Sequence, residues 1–438
     1  MTQDEVLRRA SYGAHSPVVG ERGGRTRRHV LDVALAQIAR HGLHAASVDD
    51  IATAAGISRA TLYQYFASKD EIFSELLAEC GGALMRVVRR LGPLGPTAQG
   101  FDNLHWWLGE WAWVYDRYAT MFAQWNQLDA PASDYRPTVS GFVDAYTSRI
   151  ASRLESSGYS APPEVDLAAA VMLVVHRLNA FRSTRGVTAS AVPDEVLLDG
   201  LAVTVQLVLF PDTPDAVLAS LGAVTAGAEV GSAPPSPVPS DRFAGRSARV
   251  RRTVRDVLDA AARVFAERGY QAVSMDEIAT AAGVARGTVY KYFSDKGDLL
   301  SVLAEEAHIE LVELLARLPD PGAGRPLQAW LHAYLPAYRR HAGVVGVWAD
   351  RQVTTPVVLE HADGVSAALR ANLARVLGHV DRSYPFDLRV ATLVASAALE
   401  RLPLGLTVRG RDVADDEVVE TMAAFLERGL LNPGNPPP

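Results

Sequence analysis

Residues 47–66 read SVDDIATAAGISRATLYQYF, and residues 274–293 read SMDEIATAAGVARGTVYKYF, without a gap at an offset of 227 residues. Self-similarity at a fixed offset marks an internal duplication and sets the architecture before any other feature is weighed. The register extends backwards, pairing Arg28, Val30, Leu31, Asp32, Ala34 and Gly42 with Arg255, Val257, Leu258, Asp259, Ala261 and Gly269. Forwards, it pairs Lys69 with Lys296. Fainter correspondences follow: Trp125 with Trp348, and Asp166-Leu167 with Asp387-Leu388, each leading to an Arg-Gly pair at 185–186 and 409–410. Between the copies lies GAVTAGAEVGSAPPSPVPSDRFAGRS, a stretch rich in Gly, Ala, Ser and Pro and poor in large apolar side chains, which is linker composition.

Each copy opens on apolar residues at helical spacing, Leu31, Ala34, Leu35 and Ile38 in the first and Leu258, Ala261, Ala262 and Phe265 in the second. Gly42 and Gly269 stand where a C-terminal glycine ends such a helix. Ser47 with Asp50, and Ser274 with Glu277, have capping-box spacing for a short second helix. That helix stops at Gly56 or Gly283, and a third begins at Ser58 or Ala285. Two short helices across a glycine turn, packed on a longer first helix, form a helix-turn-helix whose second element enters the DNA major groove. Leu62 with Phe66, and Val289 with Phe293, anchor the inner face of this reading helix. The expected DNA-binding set in copy one is Arg28, Ser58, Arg59, Ala60, Thr61, Tyr63, Gln64, Tyr65 and Lys69. In copy two it is Arg255, Ala285, Arg286, Gly287, Thr288, Tyr290, Lys291, Tyr292 and Lys296. Hydroxyls and lysines suit phosphate oxygens, arginine pairs with guanine, and Lys69 or Lys296 opens a fourth helix whose N-terminus favours a phosphate.

The full string resembles the TetR family, the tetracycline-repressor-like bacterial regulators, with pattern Ile-Ala-x-x-Ala-Gly-Val-x-x-Gly-Thr-x-Tyr-x-x-Phe-x-x-Lys. Copy two matches it at Ile278, Ala279, Ala282, Gly283, Val284, Gly287, Thr288, Tyr290, Phe293 and Lys296; copy one departs only at Ile57 and Ala60. The resemblance covers about 50 residues of each copy. It implies an all-α fold of two TetR-like units, each a three-helix DNA-binding domain followed by a helical ligand and dimerisation domain, with repression released by a small-molecule effector. On this reading the chain divides into an arm (1–24), reading head one (25–71), helical domain one (72–221), linker (222–246), reading head two (247–298), helical domain two (299–431) and a tail (432–438).

Family members act as two-fold dimers on palindromic double-stranded DNA operators. Here the second reader is covalently supplied, and the Ala-rich segments 164–181 and 386–401, with 194–210 and 414–430, are expected to form an internal four-helix seam. A linker of about 25 residues spans about 25–30 Å on average and stretches to about 80 Å, so it can return from that seam towards DNA. The expectation is a monomeric pseudo-dimer, higher assembly being the alternative, on an operator with unlike half-sites, since Gln64 and Lys291 occupy equivalent positions and prefer different base edges.

Composition supports a globular, non-catalytic, cytoplasmic protein. Apolar residues make up 48% of the chain, enough for large cores, and no apolar run is long enough to cross a membrane. The lone Cys80 excludes an internal disulfide and a cysteine-rich metal site. The net charge of −7 opposes phosphate binding overall, but Arg22, Arg25, Arg27 and Arg28, and Arg246, Arg249, Arg251, Arg252 and Arg255, concentrate positive charge near the two heads. Neither a P-loop, an HExxH zinc motif nor a Gly-x-Ser-x-Gly elbow is present, and no cofactor or metal is expected. His105, His176, His332 and His341 lack metal-ligand spacing. Effector-binding candidates are Trp107, Trp111, Tyr115, Phe122, Trp125 and His176 in copy one, and Trp330, Tyr334 and Trp348 in copy two. The competing expectation is a ligand-binding or scaffolding protein with one working reading head.

Overall fold

The computed structural model describes residues 21–42, 46–123, 134–157, 159, 166–183, 192–221, 240, 242–321, 326–350, 355–380, 386–406 and 413–431. Among the described residues the regular structure is helical throughout, without a strand. The first unit comprises α1 (Glu21–His41), α2 (Val48–Ala54), α3 (Arg59–Tyr65), α4 (Lys69–Arg90), α5 (Ala98–Arg117), α6 (Ala119–Ala123), α7 (Arg136–Ser156), α8 (Leu167–Ser183), α9 (Asp194–Leu209) and the short α10 (Asp215–Leu218). The second repeats the order with α11 (Ala248–Arg268), α12 (Met275–Ala281), α13 (Arg286–Tyr292), α14 (Lys296–Ala316), α15 (Pro326–Arg340), α16 (Ala342–Asp350), α17 (Pro356–Gly378), α18 (Leu388–Gly405) and α19 (Asp415–Gly429).

Local signals explain the short elements. Both capping boxes form, with Ser47 and Asp50 closing the start of α2 and Ser274 and Glu277 that of α12. Gly56 and Gly283 both adopt φ +66, a left-handed conformation that side chains resist, and so turn α2 into α3 and α12 into α13. The domain boundaries expected at 71/72 and 298/299 fall inside helices, because α4 runs unbroken from Lys69 to Arg90 and α14 from Lys296 to Ala316. The N-terminal helical head of each unit and the helical domain behind it therefore share one continuous helix.

The hydrophobic cores follow a different division from the repeat. One cluster runs from Val30, Leu62 and Phe66 of the first head through the helical domains of both units to Leu430. The second head keeps its own cluster around Val257, Phe265, Ile278, Val289, Phe293 and Leu300, and Trp348 packs against both.

The two units join where α8 and α9 pack on α18 and α19. Small residues permit that approach. A Cβ on Gly200 would lie 2.5 Å from Val390, one on Gly405 would lie 2.6 Å from Leu173, and one on Gly429 would lie 2.6 Å from Val208. All three contacts cross between the units. At the edge of the same surface Arg177 donates from Nε to Glu400 Oε2 at 2.8 Å, with little of either side chain in solvent. Replacing Gly200 with alanine forces a close contact into this surface and is expected to cost about 1–3 kcal/mol, measured by chemical denaturation. The control is Gly109→Ala in α5, where a Cβ meets nothing within 4 Å, and which should stabilise by about 0.5–1 kcal/mol.

Candidate nucleic-acid interface

The two reading helices present closely matching surfaces. Leu62 and Phe66 are buried beneath α3 as Val289 and Phe293 are beneath α13. Tyr63 is 43% exposed and Tyr290 44% exposed, so the duplicated tyrosine faces solvent alike in both heads. Each lies against an arginine: the Arg59 guanidinium sits 5.5 Å from the Tyr63 ring centre, and that of Arg286 sits 5.4 Å from Tyr290. Each arginine also pairs with an acid on the preceding helix, Arg59 with Asp49 at 3.2 Å and Arg286 with Asp276 at 2.9 Å. Ion pairs this exposed contribute little, so the arginines can exchange the carboxylate for a base edge or phosphate, and the aromatic ring pre-orients them for it.

Differences between the heads lie at the ends of the reading helix. Ser58 caps α3, accepting from the Thr61 amide at 3.0 Å and pairing with the Thr61 hydroxyl at 2.8 Å. Ala285 gives α13 no such side-chain cap. A Cβ at Gly287 would meet nothing within 4 Å, so Ala60 at the equivalent place is sterically free. Gln64 and Lys291 are both exposed, and the Lys291 ammonium lies 5.6 Å over the Tyr292 ring. Tyr65 and Tyr292 are half-buried and pack on the cores of their own heads, which leaves them less open than Tyr63 and Tyr290.

Two residues of the expected DNA-binding set hold the protein to itself. Lys296 donates to the carbonyls of Tyr270 at 2.7 Å and Val273 at 2.8 Å, ties down the loop before α12, and has its pKa lowered by burial. Arg255 is paired with Glu306 at 2.9 Å and Asp259 at 2.9 Å. Its counterpart Arg28 is exposed on α1, and Lys69 is half-buried at the start of α4.

Sequence reasoning passed over Arg27. It counted only as one of a basic cluster, yet it is buried, donates to Tyr65 O at 2.5 Å and to Glu75 Oε1 at 3.0 Å, and stacks 4.2 Å from the Phe66 ring centre. In effect it clamps the C-terminal end of α3. A buried guanidinium is recognised only by its partner, and Glu75 is 48 residues away.

The aromatic candidates for an effector site separate into two groups. Trp111, Tyr115, Phe122 and His176 cluster, with Tyr115 and Phe122 stacked at 4.5 Å and His176 5.6 Å from Phe122. Enclosure there, with Arg401 and Arg177 nearby, pushes His176 down to about 3 and keeps it neutral. Trp107 is buried and donates to the Tyr146 hydroxyl at 3.1 Å. Trp125 lies outside the described residues. In the second unit Trp330 stacks on Tyr334 at 4.9 Å and donates to Leu314 O at 2.8 Å. Pro403 inside α18 has no amide to offer Leu399 O, and the Tyr334 hydroxyl donates to that carbonyl at 3.1 Å, so Tyr334 repairs a helix. The Trp348 indole nitrogen is buried without a hydrogen-bond partner among the described residues.

A cleft of about 300 Å3 opens elsewhere in the second unit, among Leu318, Leu327, Leu377, Leu399 and Leu430, with Glu427 in its wall. Burial raises the Glu427 pKa. Ordinary leucines drawn from separate helices gave no signal for it in the sequence. Of the remaining histidines, His105 pairs with Asp199 at 2.8 Å, His341 with Glu310 at 2.8 Å, and His332 lies 3.8 Å from Asp416. Among the described residues, no three His, Cys, Asp or Glu side chains gather where they could hold a metal ion, and no helix is long and apolar enough to cross a membrane.

Comparison with known proteins agrees with this geometry. Residues 30–76 and 257–303 each match the family model for bacterial regulatory proteins of the tetR family. The chain is 46% identical over 81 residues to a Mycobacterium tuberculosis protein named for transcriptional regulation of mycofactocin biosynthesis, a match covering 18% of this chain and 41% of that protein. It is 43% identical over 72 residues to the HTH-type transcriptional regulator AcrR of Shigella flexneri, covering 16% and 34%. With the HTH-type transcriptional repressor LfrR of Mycolicibacterium smegmatis it shares 40% identity over 80 residues, covering 18% and 40%. The chain thus spans about two fifths or less of the length of these relatives.

The capping boxes give each head a titration signature. Hydrogen bonds from the Ser274 amide and hydroxyl, with Arg268 adding to them, hold Glu277 down at about 2, and the Ser47 hydroxyl and amide lower Asp50 likewise. A carboxyl whose folded pKa lies below its ordinary value of 4.5 contributes stability that is fully present above that value. The contribution is lost as pH falls towards the folded value. A side-chain carboxyl NMR titration should place the Glu277 midpoint near 2, and Ser274→Ala should return it towards the ordinary glutamate value.

Proposed function

We propose that this chain, which carries two tetR-family domains in tandem, is a sequence-specific DNA-binding transcriptional regulator that presents both reading heads from one polypeptide. The observation that carries the reading is the repeated surface of α3 and α13, where an arginine lies against an exposed tyrosine beside Thr61 or Thr288. No core needs these groups, and their chemistry matches base edges and phosphates. Packing of α8 and α9 on α18 and α19 supports an internal pseudo-dimer, since it joins the two helical domains through their last helices. The expected mode is repression released by a small molecule, in keeping with the named repressor among the relatives; such a role is non-catalytic and cytoplasmic. The effector candidates are the Trp111–His176 cluster in the first unit and the leucine-walled cleft in the second.

A second reading, in which one head reads and the other tethers, has a specific observation in its favour. Head two lacks the side-chain cap that Ser58 gives head one.

Selection of random duplexes by the purified protein at stated salt decides between them. The pseudo-dimer predicts two unlike half-sites about one helical turn, roughly 10 base pairs, or a multiple apart. Arg59→Ala should then cost about 1–3 kcal/mol at one half-site and Arg286→Ala the same at the other. Enrichment of one half-site alone would favour the single-reader account, a perfect palindrome would point to two chains, and no enrichment would contradict both readings.

A further inference from the structure

The second reading helix is held by an arginine that comes from outside its own domain. Arg27 is the clamp of head one, and the repeat places Val254 at the corresponding position of α11. Its ion-pair partner Glu75 corresponds to Val302. Both halves of the charged pair are therefore apolar in head two, where Val254 is buried in the core and Val302 packs against it.

The carbonyl that Arg27 holds in head one is not left open in head two. Arg242, from the segment joining the two units, donates from Nη2 to Tyr292 O at 2.9 Å and to Asp298 Oδ2 at 2.9 Å. It lies 5.5 Å from the Phe293 ring centre. Tyr292 and Phe293 are the counterparts of Tyr65 and Phe66, so one carbonyl and one ring are held by guanidinium groups reaching them from unrelated places in the sequence. The pairing with Asp298 raises the Arg242 pKa and lowers that of Asp298.

Neighbouring residues dock the same segment. Ser240 Oγ donates to Glu305 Oε2 at 2.5 Å, and the Ser240 amide donates to the same carboxylate. Glu305 stands where copy one has Ala78. Phe243 packs on Phe293 with ring centres 5.9 Å apart. The acceptor for Ser240 is therefore peculiar to head two, and the positions of copy one that correspond to Ser240 and Arg242 are Gly13 and His15.

We infer that Arg242 is the positioning residue of the second reading helix, so that the joining segment, rather than α11, sets how α13 is presented. The step from presentation to half-site binding rests on the DNA-reading function proposed above. A hydrogen bond from a charged donor to a terminal helix carbonyl fixes the angle at which α13 leaves the head. Loss of Arg242 frees that end without touching α1 to α4.

The test is amide hydrogen exchange on the full chain, read in peptides covering 59–66 and 286–293, together with binding to duplexes bearing the half-site of each head. Arg242→Ala should speed exchange in 286–293 alone and weaken the second half-site by about tenfold, a loss of the size expected for one charged hydrogen bond. Binding at the first half-site should not change. Arg242→Lys retains the charge and should recover part of both effects, which loss of bulk alone would not explain. Arg27→Ala should produce the mirror result in head one. Unchanged exchange in 286–293, or equal acceleration in both heads, would overturn the assignment. Should the wild-type chain select no DNA, the function proposed above falls, while the exchange comparison still decides whether Arg242 is the clamp.

Discussion

Close packing of α8 and α9 against α18 and α19 is the constraint on which the rest of the molecule depends. It is built from backbone proximity: Gly200, Gly405 and Gly429 each lie where a methyl group would collide with the other unit. Arg177 and Glu400, largely withdrawn from solvent, close its edge. Removing one partner of such a pair leaves a charge poorly solvated, which makes the contact specific even where its net contribution is small. The hydrophobic core is continuous through this surface from Val30 to Leu430.

A two-fold axis made by two identical chains forces both reading heads to be the same. Two units joined in one chain are under no such requirement, and the two heads of this chain differ. Head one retains a serine cap on its reading helix and an internal Arg27 clamp, and its core merges with the helical domains. Head two has no side-chain cap, has valines where the clamp would be, and keeps a separate core. What has stayed alike is the outward surface, where Tyr63 and Tyr290 are equally exposed and Arg59 and Arg286 lie against them. Under the proposed function the shared arginine–tyrosine pair would serve a contact common to both half-sites, and the difference between Gln64 and Lys291 would distinguish them.

Much of the fold could be read directly from short-range pattern. Leu62 with Phe66, Val289 with Phe293, the two capping boxes and the glycine turns are each decided by residues within one or two helical turns, and all appear as expected. The Ala-rich segments 164–181 and 386–401, with 194–210 and 414–430, also announced themselves as helices that pack closely. What could not be read was the identity of partners across the fold. Lys296 and Arg255 both belong to the expected DNA-binding set, but Lys296 meets backbone carbonyls of its own head and Arg255 meets the carboxylates of Asp259 and Glu306. Tyr334 has the residue type for a ligand pocket, yet a proline 69 positions later gives it a carbonyl to satisfy. Arg242 sits in a stretch whose composition reads as linker, and only the three-dimensional contact with Tyr292 shows that it belongs to a head.

The most direct measurement of the account is the mass of the complex formed between the full chain and its selected duplex, by native mass spectrometry or sedimentation. One chain per duplex, with both half-sites protected from cleavage, is the predicted result. Two chains per duplex at all protein concentrations would contradict it, because each half-site would then be read by a different polypeptide.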